Sequence, residues 1–185
     1  MLQNTARGLL ALLFVVLELT RPGRPTPLRP ICDGRVLNPF ITEAQDAHAA
    51  MRSCREGCGL STDVTVPQTK VNFDEWEKKS APEQIEEVQS GLWLLQQAFS
   101  FLRTSVTNTA LHGHIDNSLS NLLSIKNLLR RHNIQEYTTP ASTAELKDTW
   151  TVSSAADVLQ NYIIFLRGKV QLLLSGTQAC RPDGS

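Results

Sequence analysis

The sequence predicts an all-α protein, a four-helix bundle of up-up-down-down topology, and three observations carry that prediction. Apolar residues recur at helical spacing in four separate stretches. Two of the links between them are long, residues 57–79 and Asn133 to about Val152, while the middle one, Thr107 to Gly113, is short. An up-down-up-down bundle has no use for loops of about 20 residues, whereas two long crossovers around one short connection send the first two helices up and the last two down.

The chain opens on a secretory signal. Arg7 supplies the positive end, and Gly8 to Leu17 form an apolar run that Glu18 interrupts, too short to span a bilayer. Cleavage is expected between Thr20 and Pro27, so residues 1–26 read as signal peptide and leader and 27–185 as the helical domain. Removing 1–26 takes three arginines and one glutamate from a chain of formal charge zero and leaves −2. At 41% apolar and 19% charged the product is globular. Its charge makes no electrostatic case for nucleic acid, and no second apolar run reaches membrane-spanning length. A secreted, soluble protein is expected.

Pro22, Pro25, Pro27 and Pro30 make an extended lead-in. A helical pattern follows from about Asp33 to Glu56, with Val36, Leu37, Phe40, Ile41, Ala44, Ala47 and Met51 on its apolar side. Pro39 inside that helix would cost about 3 kcal/mol; after Asn38 as N-cap it would start the helix instead. Both stay open: a helix from Asp33 kinked at Pro39, or one that begins there. Residues 57–79 read as an extended strap with little regular structure, broken by Gly57, Gly59 and Pro67, with Phe73 and Trp76 pinning it to the core.

Ser80-Ala81-Pro82-Glu83 is a capping box with proline in the first turn. Ile85, Val88, Leu92, Leu95, Phe99 and Leu102 then repeat at 3-4-3-4-3 to about Thr104. The third helix runs from about Ile115 to His132 with Leu119, Leu122, Ile125 and Leu129 inward, and Arg130 and Arg131 suit its C-terminal dipole. The fourth starts at Ser154-Ala155-Ala156-Asp157 and ends before Gly176, with Leu159, Ile163, Leu166, Val170 and Leu173 as its core stripe. Its opposite face is the unusual one. Phe165, Gly168 and Leu172 point away from the stripe, with Arg167 and Lys169 on the flanks. The glycine costs about 1 kcal/mol against alanine, so something other than helix stability keeps it. Either a loop lies over the back of this helix, or the face is a docking surface with a basic rim.

Export makes the four cysteines, Cys32, Cys54, Cys58 and Cys180, disulfide partners. Three connectivities are possible. A Cys54–Cys58 bridge closes a tiny loop that Gly57 makes feasible, which leaves Cys32 and Cys180 to tie the two ends, worth about 5 kcal/mol in the chain-entropy model. The spacing is not that of paired zinc knuckles.

Catalytic chemistry finds no footing. There is no Gly-rich phosphate loop, GxSxG or HExxH. His112-Gly113-His114 lacks a third metal ligand nearby in sequence and reads as two exposed loop histidines. Glu86 and Glu87 point about 100° apart on a helix and read as a solvated face. No nucleophile, base and orienter assemble, so the chain is expected to be no enzyme, to need no cofactor and to work by binding. A carrier of small apolar ligands is the alternative, and it would need a cavity between the helices.

Cys32-Asp33, Cys54-x-x-x-Cys58, Thr65-Val66-Pro67-Gln68-Thr69-Lys70-Val71-Asn72-Phe73, Trp76, Gln89-x-Gly91-Leu92 and Phe165-Leu166-Arg167-Gly168-Lys169 before Cys180 resemble a hormone of the long-chain four-helix cytokine family. The resemblance spans essentially the whole chain. It implies the disulfides Cys32–Cys180 and Cys54–Cys58. It implies a secreted, monomeric hormone that brings together two copies of a single-pass receptor through two different faces. Receptor-associated tyrosine kinases then activate each other, and erythroid progenitors survive, proliferate and differentiate. On the high-affinity face the matching residues are Thr69, Lys70, Val71, Asn72, Phe73, Phe165, Arg167, Gly168, Lys169 and Leu172, with Gly168 letting a partner approach the helix backbone. An asparagine contact of the family falls at Ile164. On the low-affinity face they are Val36, Phe40, Ser120, Ser124 and Leu128, Phe40 standing for a tyrosine. Two family arginines fall at Pro39 and Leu123, with Lys126 one turn along as the substitute for the second. The chain also lacks the N-x-Ser/Thr sequon of mammalian members, and O-linked sugar at Thr138, Thr139, Ser142 or Thr143 is left open.

Overall fold

Two of the bundle helices start at side-chain caps and two run on from 3-10 turns, and each continues where it can bury a stripe. The computed structural model describes residues 34–131 and 148–176. A 3-10 turn at Gly34–Leu37 leads into α1 (Asn38–Ser53). Pro39 therefore stands in the first turn of α1, where its missing N–H has no intrahelical partner to lose. Helix α3 (Ala81–Ser105) opens on the expected capping box, the Glu83 carboxylate accepting from the N–H and the hydroxyl of Ser80, each at 2.7 Å. These bonds hold the Glu83 carboxyl below its ordinary range.

The strap is more regular than its sequence suggests. It contains β1 (Gly59–Pro67) and a short helix, α2 (Phe73–Lys78). β1 pairs antiparallel with β2 (Thr149–Ser154) in the register Val64↔Val152, Thr65↔Thr151, Val66↔Trp150 and Pro67↔Thr149. The partner lies in the second crossover, so no local pattern reveals it. Val64 and Val66 are buried beneath this two-stranded sheet. Trp76 pins the strap as expected, but Phe73 is 62% exposed and does not.

A 3-10 turn at Thr109–Leu111 precedes α4 (His112–Arg130), so the third helix starts three residues before its expected position. His112 and His114 are helical, and His112 Nε2 lies 2.8 Å from the Val106 carbonyl, a bond that ties the helix start to the preceding turn. The fourth helix comprises α5 (Ala155–Phe165), a π-helical turn (Leu166–Val170) and α6 (Gln171–Gly176), so Gly176 is its last residue. The Ser154 hydroxyl caps it, accepting from the Asp157 N–H at 3.0 Å.

α1 packs on α4 and α5, and α3 packs on α4 and α5, which leaves α1 and α3 diagonal in an up-up-down-down square. The interior is filled at its middle by Tyr162 standing edge-on to Phe99, ring centroids 5.3 Å apart. All five stripe residues of the fourth helix are buried. So are Val88, Leu92, Leu95, Phe99 and Leu102 of α3 and Leu122, Ile125 and Leu129 of α4; Ile85 and Leu119 are half-buried at the margin. Cys54 and Cys58 are bridged, with Gly57 at φ 73° in the turn. Cys32, Cys180, His132 and the threonines and serine considered for O-linked sugar lie outside the described residues.

Candidate functional site

The fourth helix is buried over much more than one stripe, because α3 and β1 pack on it as well as α1. α3 lies along one side and β1 crosses behind. The expectation that Phe165 faces away from the core is therefore wrong: Phe165 is 0% exposed. Its ring lies against α3 at Gly91, where a Cβ would come within 2.3 Å of Phe165 Cζ. Only glycine leaves the ring room there.

One turn after Phe165 and one turn before Gly91, in the same antiparallel seam, Lys169 meets Glu87. Lys169 is 4% exposed. Its Nζ lies 2.6 Å from Glu87 Oε1 and donates to the Gln68 carbonyl of the strap at 2.5 Å. Glu87 Oε2 takes Lys79, the residue after α2. Burial pushes the Glu87 carboxyl up, yet the hydrogen bonds from Lys169 and Lys79 outweigh it and the net shift is downward. The Lys79 ammonium is shifted up, chiefly by its bond to Glu87. Glu87 is thus not on a solvated face, and Lys169 does not present its charge to solvent. Sequence reasoning missed both Glu87 and Gly91. The signal was their four-residue spacing on α3, which repeats that of Phe165 and Lys169 on the helix opposite.

What the first face does expose is a groove between the strap and the fourth helix. Phe73 and Ile164, the latter 42% exposed, supply its apolar surface, and Lys70 and Arg167 its charge. Val71, Gly168 and Leu172 line the floor, half-buried. Asn72 is exposed and caps α2, its side chain accepting from the Asp74 N–H at 3.2 Å. Thr69 is buried. A Cβ on Gly168 would stand 3.3 Å from Val71 Cγ2, so the chain that approaches this glycine is the protein's own strap. A strap does cover the back of the helix, and beside the strap an apolar, basic-rimmed face stays open.

The second expected face is assembled from two stripes. Val36 and Phe40, both half-buried, share a stripe of α1 and its lead-in with Glu43. Ser124 and the half-buried Leu128 share one of α4 with Asn121. Asn121 Nδ2 donates to Glu43 Oε2 at 2.6 Å and brings the stripes together. Ser120 is exposed one turn before Ser124, which donates to its carbonyl at 3.0 Å. Leu123 is 52% exposed. Lys126, the expected substitute for a family arginine, turns to α3 and donates to Gln96 Oε1 at 2.5 Å.

Among the described residues no group of His, Cys, Asp and Glu could hold a metal, and no helix is long and apolar enough to cross a membrane. The fold is that of a helical cytokine. A profile of the erythropoietin/thrombopoietin family matches residues 29–183. Erythropoietin of Epinephelus coioides is 68% identical over 185 residues, covering all of both chains. That of Takifugu rubripes is 66% identical, again over all of both. Erythropoietin of Oryctolagus cuniculus is 38% identical over 95% of this chain and 96% of its own. The chain belongs to the erythropoietin/thrombopoietin family. It is an erythropoietin-like hormone, not an enzyme, and its partner is a cytokine receptor.

Proposed function

We propose that this hormone is secreted after its signal peptide is removed between residues 20 and 27, and that it acts as a monomer. It bridges two chains of the erythropoietin receptor. Receptor-associated tyrosine kinases then activate each other and drive survival, proliferation and differentiation of erythroid progenitors. Lys70, Val71, Asn72, Phe73, Arg167, Gly168 and Leu172 form the high-affinity face, with Ile164 beside them. Val36, Phe40, Ser120, Ser124 and Leu128 form the low-affinity face.

The observation that carries this reading is the exposed Phe73–Ile164 surface with Arg167 at its rim. Large exposed apolar side chains beside an arginine are what a binding hot spot is made of. Phe165 and Lys169 belong beneath that face and not on it. Arg167→Ala is expected to weaken binding to the receptor ectodomain at least tenfold, as loss of an arginine contact of about 1.4 kcal/mol or more would. Its helical circular dichroism should match the parent's. Unchanged affinity overturns the assignment of this face.

A further inference from the structure

We infer that Glu87 is the positioning residue of the first face: one half-buried carboxylate that holds both ends of the receptor-binding strap in register with the fourth helix. The inference rests on the reading of that face given above. The segment from Gln68 to Lys79 carries Lys70, Val71, Asn72 and Phe73. At its beginning, Lys169 donates to the Gln68 carbonyl and is itself held by Glu87 Oε1. At its end, Lys79 is held by Glu87 Oε2. Gln84, one turn before Glu87 on α3, adds hydrogen bonds to the carbonyls of Trp76 at 2.8 Å and Lys79 at 3.4 Å. Between the two ends Val71 rests against Gly168, and Phe73 projects into solvent. The position of Phe73 beside Arg167 therefore depends on how the ends are tied as well as on the buried Trp76 between them.

A carboxylate between two ammonium groups has no neutral equivalent. Without its charge the two lysines repel each other. Lys169 is then an unpaired cation in a buried site, which proteins avoid by moving the group or opening the site. Either response shifts Gln68, since Lys169 bonds its carbonyl. Lys169 and Glu87 thus act on the receptor through the strap and through each other.

The test uses the full mature hormone, the receptor ectodomain and amide hydrogen exchange. Glu87→Gln should weaken first-face binding at least tenfold and speed exchange at residues 68–76 at least tenfold, while α1 and α4 keep the parent's protection. Glu87→Gln with Lys169→Met should bind no worse than the weaker single variant, because both break one device. Affinity within twofold of the parent, losses that multiply, or exchange that rises equally throughout the bundle would each overturn the inference. Arg167→Ala runs alongside. If it too binds like the parent, the face assignment fails, and the exchange of residues 68–76, which needs no receptor, still decides whether Glu87 holds the strap. If Glu87→Gln does not fold, Lys79→Met removes the α2 tie alone. Faster exchange at residues 74–79 with weaker binding then supports the inference, and parent-like behaviour in both overturns it.

Discussion

Phe165 and Gly91 show what one residue can decide. The Phe165 ring is fully buried and occupies the space a Cβ at position 91 would need. Gly91→Ala gains up to about 1 kcal/mol of helix propensity but overpacks the seam, at a cost of about 1–3 kcal/mol. The expected outcome is a lower urea midpoint with an unchanged m-value, and a midpoint at or above the parent's would contradict it. Phe165→Ala should cost about 3–5 kcal/mol by the same measurement. A helical wheel drawn for one helix placed the Phe165 side outward because it carries no information about a second neighbour. The glycine that admits the ring lies far away in sequence, on α3, and only the pairing of the two helices gives it meaning.

At the scale of elements, the strap and the π-helical turn decide what the first face looks like. Gly168 lies in that turn, and a Cβ there would press on Val71 at 3.3 Å. Gly168→Ala should therefore weaken receptor binding by displacing the strap, while its melting temperature stays at or above the parent's because alanine is the better helix former. A large fall in melting temperature would show that the strap cannot yield. Glu87 gives the strap a pH dependence with a defined sign. Its folded-state pKa lies below the ordinary 4.5, so its contribution is present above that value and is lost as pH falls through the folded pKa. Lys79 is raised above 10.5, so its contribution is present below that value and is lost as pH rises through the folded pKa. The groups facing this site are Lys79 and Lys169 around Glu87, with Glu75 and Asp148 near Lys79. Exchange protection of residues 68–76, corrected for intrinsic rate, should be flat between those limits and fall below about pH 4.5; Glu87→Gln should abolish the acid fall. The helices, their order and the caps at Ser80 and Ser154 were legible because each is written in local spacing, whereas Asn38 does not cap the first helix. The strand pairing was not, since β1 meets β2 across the bundle and Val66 finds Trp150 only in the folded chain.

For the whole molecule, loop lengths were enough to give the topology, and the family follows from the match across residues 29–183. The two faces differ in chemistry. The first has Lys70 and Arg167 at its rim, whereas none of Val36, Phe40, Ser120, Ser124 and Leu128 is charged and Glu43 beside them is a single carboxylate bonded to Asn121. Association through the first face should slow more steeply as salt rises than through the second, because screening acts on steering charges. Stopped-flow association of each face, with the other blocked by substitution, checks this; equal salt slopes would contradict it. The central claim is that one hormone carries two unlike docking faces and joins two receptor chains. Sedimentation of the mature hormone with excess receptor ectodomain measures this most directly. The account predicts a complex of one hormone with two ectodomains, reduced to one by Arg167→Ala; a parent hormone that saturates at a single ectodomain would contradict it.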